Sequence, residues 1–375
     1  MIKFWTYKKE YQKYNHKILN QINKTLKKGY IFFGDELNKF ENNFVKKNKS
    51  KYGIAVGSGT DALLVSLKAI NIKKGDEVIT AANTAIPTIS AIINSGATPR
   101  LVDVNDNYLI DINKIEKEIN KRTKAIIPVH LYGQSCDMDK IIKLSKRYHL
   151  KIIEDCAQSQ GAKYKNKYVG TFGDFGCFSF YPTKILGAYG DGGFILTNNF
   201  NYYKKIKRLR FYGIETIDKK NKFKNMYYAN ENGFNSRLDE IQSSILNLKL
   251  KKLDKFIRRR KNIANLYIKE LKKTNLKLPY ELKNNSHVYH LFTIFHKKAK
   301  NIVEKLNKKK IETRKIYPFP IHKMNAYSKI KRGNLSNTEI LSKGIFCLPL
   351  YPELKNKQIK YICEELKKIL KKNHW

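Results

Sequence analysis

The chain has 375 residues, of which 42% are hydrophobic and 12% aromatic, and this composition excludes a disordered protein and allows a large domain beside a smaller one. Its formal net charge of +43 is by itself typical of nucleic-acid binders, but the lysines are spread along the whole chain among asparagines and form no basic tail. We therefore predict a solvated lysine surface that binds no nucleic acid and would attract a substrate carrying a diphosphate.

Membrane segments and metal-binding motifs are not apparent in the sequence. No apolar run approaches the roughly 18 residues of a membrane helix, and the N-terminus lacks the apolar core of a signal peptide. We therefore expect a soluble cytoplasmic protein with no membrane partner. The five cysteines are odd in number and form no Cys-x-x-Cys pair, so we predict neither a disulfide framework nor a metal site.

Strand and helix patterns alternate from residue 52 to about residue 197. Such alternation predicts an α/β fold with a doubly wound, largely parallel sheet. The predicted strands are 52–56, 77–81, 99–104, 125–129, 151–154, 175–180 and 193–197, and the predicted helices are 61–70, 87–94, 113–120 and 138–148. The loop before the last strand is too short for a crossover helix, which predicts an antiparallel or irregular element there.

The pattern changes in the last third of the chain. A long helical pattern runs from Ser236 to Ile257. The elements predicted after Lys273 are strands 287–295 and 345–348 and helices 299–309 and 357–370. We therefore expect a large domain at residues 1–250 and a small C-terminal α+β domain at residues 251–375, with an N-terminal segment that can pack on the small domain.

Two polar motifs follow predicted strands. Residues 57–63 (Gly-Ser-Gly-Thr-Asp-Ala-Leu) lead into a helix, where small residues and free N–H groups suit a phosphate, although an ordinary capped helix start looks the same. Residues 154–158 (Glu-Asp-Cys-Ala-Gln) lie at the sheet edge where ligands bind in this architecture. A strand-terminal aspartate is as often a helix cap as a catalytic group, so neither motif is specific alone.

A third motif contains a lysine. The sequence Phe-Ser-Phe-Tyr-Pro-Thr-Lys ends at Lys184, and a glycine-rich stretch follows at residues 187–193. Glycines there permit the backbone conformations that would bring Lys184 to a cofactor. Because lysines and arginines together number 75, any single lysine is by default surface charge, and the interpretation of Lys184 depends wholly on its context.

Together the motifs resemble those of the DegT/DnrJ/EryC1/StrS sugar aminotransferases. Residues 235–240 (Asn-Ser-Arg-Leu-Asp-Glu), 130–134 and 348–352 also resemble that family, and all occur in its order and spacing over nearly the whole chain. The resemblance implies a fold-type I enzyme that uses pyridoxal 5'-phosphate (PLP). It also implies that residues 1–250 form the PLP-binding domain, in a homodimer with shared active sites.

The resemblance assigns roles to individual residues. Lys184 would form the Schiff base with PLP and transfer protons. Asp155 would pair with the pyridine nitrogen and keep it protonated, so that the ring can accept electrons, and Gln158 would contact the ring hydroxyl. The remaining cofactor-binding residues would hold the phosphate and are Gly59, Thr60, Ser179 and, from the partner subunit, Asn235.

Two positions depart from the family pattern. Ala85 stands where many members place an aromatic residue that stacks on the PLP ring, so either another side chain stacks or the ring lacks this contact. Cys156 replaces a commoner alanine and changes no expectation.

The substrate is predicted from residues 211–215, 227–229 and 233–237. These segments resemble the corresponding segments of family members that aminate C3 of dTDP-linked 3-keto-6-deoxyhexoses. The resemblance implies an amino donor such as glutamate and a product used for surface polysaccharides, among other products. The lysine-rich residues 216–226 interrupt this similarity, and we interpret them as a surface loop. The alternative is C4 amination of a UDP-4-keto-sugar.

Related dehydratases carry histidine where this chain has Lys184. A nucleic-acid binder, the alternative of another class, would bind random DNA in a salt-dependent manner.

Overall fold

The structure is a computed structural model that describes residues 1–215 and 228–371. Its helices are α1 (Lys8–Leu26), α2 (Asp35–Asn48), α3 (Gly59–Ala69), α4 (Ile86–Asn94), α5 (Ile112–Ile115), α6 (Met138–Tyr148), α7 (Phe200–Leu209), α8 (Glu240–Leu250), α9 (Leu253–Leu271), α10 (Ala299–Lys308), α11 (Ser336–Gly344) and α12 (Asn356–Lys371). Its strands are β1 (Tyr52–Val56), β2 (Glu77–Ala81), β3 (Thr98–Val102), β4 (Thr123–Ile127), β5 (Lys151–Asp155), β6 (Lys163–Tyr164), β7 (Lys167–Tyr168), β8 (Phe175–Ser179), β9 (Gly193–Thr197), β10 (Asn285–Ser286), β11 (Phe292–Phe295) and β12 (Ile345–Leu348). Within these described residues, no helix combines the length and apolar character needed to cross a membrane.

A seven-stranded sheet in the order β1-β9-β8-β5-β4-β2-β3 forms the centre of the fold. Neighbouring strands are parallel, except that β9 runs antiparallel to both β1 and β8. Every residue of β2, β8 and β9 is buried, as expected of strands covered on both faces. The predicted α/β fold with its largely parallel sheet, and the antiparallel element at residues 193–197, are therefore confirmed.

Two helices begin directly at the carboxyl edge of this sheet. Helix α3 follows β1 after a loop, and the Ser58 hydroxyl caps it by accepting a hydrogen bond from the Asp61 N–H at 3.1 Å. Helix α4 follows β2 and has Pro87 in its first turn, where the missing N–H costs no helical hydrogen bond. Both N-termini therefore point into the space above the strand ends.

The C-terminal part has its own apolar cluster. Strands β11 and β12 pair antiparallel, and α9, α10 and α12 pack against them around Phe292, Ile302 and Leu366. The N-terminal segment joins this part: Ile2 and Trp5 pack against the cluster, and the Ile2 N–H donates to the Lys310 carbonyl at 2.8 Å.

The prediction of one long helix after Ser236 was wrong. The segment forms two helices, α8 and α9, which are separated at Lys251 and Lys252. Helix α8 packs against α1 and α2 beside the central sheet, whereas α9 extends into the C-terminal cluster with Ile263. A straight helix could not follow both surfaces, although the apolar spacing continues through the break.

The strand predicted at residues 287–295 is also shorter than expected. Only β11 at its end is a strand, because Tyr289 has a positive φ of 50° and the Val288 N–H donates to the Gly133 carbonyl instead of a strand neighbour. This irregular segment lies against the loop that follows β4.

Candidate active site

A cavity of about 530 Å³ opens at the carboxyl edge of the central sheet. Its walls come from the loops after β1, β2, β4, β5 and β8 and from residues 317–319. Six of the seven predicted site residues line it, namely Gly59, Thr60, Asp155, Gln158, Ser179 and Lys184. The fold thus brings together residues that are up to 125 positions apart in the chain, from 59 to 184.

Strand register explains this convergence. Because β9 is antiparallel to its neighbours, its first residue, Gly193, pairs with both Val56 at the end of β1 and Ser179 at the end of β8. A Cβ on Gly193 would lie 2.1 Å from the Ser58 carbonyl oxygen, so only glycine allows this close approach. The loop after β1 and the end of β8 therefore meet across a single glycine.

The resulting pocket is built for an anion. A Cβ on Gly59 would lie 2.7 Å from the Cβ of Ser179, so the start of α3 packs directly on the end of β8. The N–H groups of Gly59 and Thr60 open the helix and have no carbonyl one turn earlier to accept them. Together with the hydroxyls of Thr60 and Ser179, they provide donors at the positive end of the helix dipole, which suits a phosphate.

Asp155 lines the cavity and is only 6% exposed. Its Oδ1 accepts the Ala157 N–H at 3.1 Å and its Oδ2 accepts the Thr88 hydroxyl at 2.8 Å. Burial raises the pKa of the Asp155 carboxyl, against the opposing effect of these bonds and of the nearby Lys184. In the described part of the chain no lysine, arginine or histidine forms an ion pair with it, so a cationic ring nitrogen would compensate its charge.

Gln158 is held from two sides. Its Oε1 accepts the Tyr132 N–H and its Nε2 donates to the Tyr317 hydroxyl, both at 2.8 Å. The amide therefore has a fixed orientation and keeps one N–H for a ligand in the cavity. Burial raises the pKa of Tyr317, so its phenol is protonated at neutral pH.

Lys184 enters the cavity from the loop between β8 and β9. Its own N–H donates to the Tyr181 carbonyl at 2.8 Å, and the loop is closed by the Phe180 N–H, which donates to the Gly192 carbonyl at 2.7 Å. Burial lowers the pKa of the Lys184 amine to about 8, partly opposed by Asp155. The neutral, nucleophilic form is therefore accessible near neutral pH, unlike that of an ordinary surface lysine.

Asn235 is the one predicted site residue that does not line the cavity of its own chain. It is exposed, and its backbone bridges to Phe211. The next residue, Ser236, accepts the Gly57 N–H at 2.9 Å and donates to Asp61 Oδ2 at 2.8 Å. The Asn235 segment thus packs beside the phosphate loop while its own side chain remains on the surface.

An exposed aromatic surface, formed by Phe32, Phe33, Phe211, Tyr212 and Arg237, lies beside Asn235. Tyr212 is 46% and Phe32 40% exposed, and the Arg237 guanidinium lies 4.3 Å from the Phe32 ring centroid. Phe33 contacts Phe211 at 5.2 Å between ring centroids. Contiguous exposed aromatic side chains with an arginine are typical of protein interfaces.

Glu154, next to Asp155, has a structural environment. Its Oε1 accepts the N–H groups of Phe172 and Gly173, and its Oε2 accepts the Gly170 N–H and contacts His130 Nε2 at 3.0 Å. Cys156 and His130 are near enough to form a potential metal-ligand group with it. The hydrogen bonds already occupy both oxygens of Glu154, which accounts for its burial without an ion.

Three polar residues in or beside the cavity, which contact the predicted site residues or each other, were not predicted from the sequence. Thr88 contacts Asp155, Thr84 contacts Thr88, and Tyr317 contacts Gln158. Ala85, the position that departs from the family pattern, lines the same cavity as the aromatic residues Tyr317 and Phe319. The insertion at residues 216–226, together with residue 227 of the adjoining motif, lies outside the described residues.

Comparisons with known proteins point to one family. Residues 12–367 match the DegT/DnrJ/EryC1/StrS aminotransferase family. The chain is 40% identical over 365 residues to the dTDP-3-amino-3,6-dideoxy-alpha-D-galactopyranose transaminase of Aneurinibacillus thermoaerophilus, covering 97% of this chain and 98% of that protein. It is 36% identical over 374 residues to the dTDP-3-amino-3,4,6-trideoxy-alpha-D-glucose transaminase of Micromonospora megalomicea subsp. nigra, covering 98% of each. The crystal structure of S. venezuelae DesV in complex with a ketimine intermediate superposes with a TM-score of 0.92 at 32% identity, covering 98% of both chains.

Proposed function

The chain belongs to the DegT/DnrJ/EryC1/StrS aminotransferase family, and we propose that it aminates C3 of a dTDP-linked 3-keto-6-deoxyhexose with an amino acid such as glutamate as donor. It is a PLP-dependent aminotransferase. The observation that carries the aminotransferase chemistry is the cavity in which Lys184, Asp155 and the anion pocket converge. The choice of substrate is supported by the similarity to the two dTDP-3-amino sugar transaminases.

The residues present fit PLP at each of its polar groups. The N–H groups of Gly59 and Thr60, with the Ser179 hydroxyl, would hold the phosphate. The buried carboxylate of Asp155 would accept the ring N–H, and the free N–H of Gln158 would donate to the ring hydroxyl oxygen. When bound, PLP supplies an aldehyde that takes up an amino group and a ring that stores electrons while that group moves from donor to acceptor.

Lys184 would carry the proton transfers. Its amine, released when the donor binds, would take the proton from Cα of the donor and later deliver a proton to C3 of the sugar. Burial lowers its pKa to about 8, which matches a base that must accept and release a proton near neutral pH. Asp155 would keep its negative charge beside the ring nitrogen throughout and would not itself transfer a proton.

The choice of C3 gives a direct test of the substrate class. We expect dTDP-3-keto-6-deoxyglucose or its galacto isomer to be aminated, and UDP-4-keto-sugars to show at least about 100-fold lower kcat/KM, because a carbonyl displaced by one ring position cannot reach the reacting amine. Turnover is measured with glutamate as donor, and NMR of the product locates the new amine. An amine at C4, with no turnover of either 3-keto substrate, would reject the substrate assignment and leave the aminotransferase assignment intact.

We further propose that the protein is a homodimer with shared active sites, in which Asn235 reaches the phosphate of the partner. Two observations support this: Asn235 is exposed and absent from the cavity of its own chain, and it adjoins the aromatic surface defined by Phe32, Phe33, Phe211, Tyr212 and Arg237.

Shared sites predict complementation between two inactive variants. Mixing Lys184→Ala with Asn235→Ala should restore activity, because each heterodimer has one site with both lesions and one with neither. After full random exchange the expected level is about a quarter of the wild-type activity, since half of the dimers are heterodimers with one intact site each. The measurement is the transaminase rate after subunit exchange, which is followed with two affinity tags.

A matched pair of variants provides the control. Lys184→Ala mixed with Asp155→Asn should remain inactive, because both residues line the cavity of the same chain and no heterodimer then has an intact site. If Asn235→Ala is strongly impaired but gives no more activity than this control in exchanged heterodimers, Asn235 serves its own chain.

We also propose the domain division at residues 1–250 and 251–375. The seven-stranded sheet lies within residues 52–197 and the two-stranded sheet within residues 292–348, which supports this division. A nucleotide-sugar substrate favours a cytoplasmic location for the enzyme.

A further inference from the structure

Two buried threonines form a chain of hydrogen bonds that ends on Asp155. Thr88, in the first turn of α4, has its hydroxyl 2.8 Å from Asp155 Oδ2. Thr84, at the end of the loop after β2, has its hydroxyl 2.8 Å from that of Thr88. Both threonines are buried, at 0% and 3% exposure, so water does not compete for these contacts.

The direction of the chain follows from the chemistry of its last member. An ionised carboxylate can only accept, so the single hydrogen of the Thr88 hydroxyl must point to Asp155. The Thr88 oxygen is then free to accept, and Thr84 must be the donor to it. Both hydroxyl dipoles are thus aligned toward the negative charge, which strengthens each bond.

We propose that Thr88, oriented by Thr84, is a positioning residue that holds Asp155 ionised and correctly placed for the ring nitrogen of PLP. The inference rests on the proposed function, because it assumes that PLP occupies the cavity. Thr88 is the only side-chain donor to Asp155 within the described residues, and the second bond to the carboxylate comes from the Ala157 backbone.

Burial makes such a donor necessary. Desolvation raises the pKa of the Asp155 carboxyl, and the bonds from Ala157 and Thr88 act in the opposite direction. Without the Thr88 hydroxyl, Oδ2 would have no protein donor and the neutral acid would be favoured. A neutral Asp155 cannot pair with a protonated ring nitrogen, so loss of Thr88 should weaken PLP binding most at low pH.

Other titratable groups also face Asp155 and would contribute to any pH dependence. They are Lys184 in the loop after β8, His130 and Cys136 in the loop after β4, Tyr317 in the C-terminal part, Cys156 directly after β5 and Cys177 in β8. Substitutions at Thr84 and Thr88 leave all of them in place. A difference between variants therefore reports on the threonine chain.

The test is the affinity of the full-length apoenzyme for PLP, measured by equilibrium titration across a range of pH. Thr88→Val is nearly isosteric and should weaken binding by roughly 10- to 100-fold near neutral pH, the range for losing a hydrogen bond to a charged group. The pH below which binding is lost should move upward, because the free Asp155 is protonated at higher pH. Thr88→Ser should restore the wild-type profile.

Two more variants decide between positioning and a general loss of structure. Thr84→Val should move the profile in the same direction by a smaller amount, since it removes the donor to Thr88 and leaves Asp155 its direct bond. Thr80→Val is the control: Thr80 is equally buried, and its hydroxyl donates to the Ile127 carbonyl at 2.9 Å, away from Asp155.

Coincident pH profiles for Thr88→Val and Thr80→Val would overturn the inference. If Thr88→Val does not fold, an unshifted Thr84→Val profile would overturn it equally. Failure of the wild-type protein to bind PLP at any pH would be a different result, because it would reject the proposed function itself.

Discussion

Lys184→Ala is expected to lower kcat by at least about 10⁴-fold, because in the proposed mechanism Lys184 is both the amine that would hold the cofactor covalently and the base that would move the proton. Burial lowers the pKa of this amine to about 8, and no other lysine lines the cavity within the described residues. No other lysine that lines the cavity can therefore replace it. The variant should still bind PLP non-covalently, since the anion pocket and Asp155 are unchanged.

Reduction with borohydride locates the reactive lysine independently of turnover. In the wild-type protein, a phosphopyridoxyl group should be found on Lys184 by peptide mapping. Lys249→Ala is the matched control, because Lys249 is also nearly buried but pairs with Glu10 at 2.6 Å and does not line the cavity. It should keep the Lys184 adduct. An adduct found reproducibly on another lysine would contradict the assignment.

The features of the fold that the sequence predicts best are local ones. Each strand of the central sheet is a short segment with apolar residues, and the polar motifs lie where a strand ends, as Asp155 is the last residue of β5. Because the carboxyl ends of parallel strands meet at one edge, their proximity in the cavity could be expected without knowing the strand order. The close approach of the loop after β1 to Ser179 required the register of β9 as well.

Contacts between distant segments could not be predicted in this way. Thr88 and Asp155 are 67 residues apart, and Tyr317 and Gln158 are 159 apart. Apolar periodicity indicates which face of an element is buried but does not say which polar group it meets there. The break between α8 and α9 has a similar cause, because it depends on the two surfaces against which the helices pack.

Asp155→Asn is expected to lower kcat by at least about 100-fold while the fold is retained. The change keeps the shape of the side chain and removes the charge that we propose lies opposite the ring nitrogen, so the ring would no longer be kept protonated and its capacity to store electrons would fall. The amide oxygen can still accept the Ala157 N–H, and the Thr88 hydroxyl can rotate to accept from the new amide. The measurements are kcat with the keto-sugar and the absorption spectrum of bound PLP.

Stability should move in the opposite sense to activity, and this separates chemistry from folding. Burial raises the pKa of Asp155 above its unfolded value, so its ionised form destabilises the folded apoprotein at neutral pH, and Asn removes that cost. Asp103→Asn is the contrasting control. Burial of Asp103 acts to raise its pKa, but hydrogen bonds from Lys114 and Thr338 outweigh this and lower it. Its stabilising effect is therefore present at neutral pH and is lost as the pH falls through its folded pKa.

The two aspartates should thus give opposite patterns at pH 7. Asp103→Asn should lose about 2 kcal/mol of unfolding free energy, because a buried and hydrogen-bonded carboxylate is removed, and should keep the PLP spectrum. Asp155→Asn should keep or gain thermal stability as the apoprotein and lose turnover. Near-normal turnover of Asp155→Asn would show that the ring nitrogen does not depend on this carboxylate. A large fall in its apoprotein stability would instead show that the charge serves the fold.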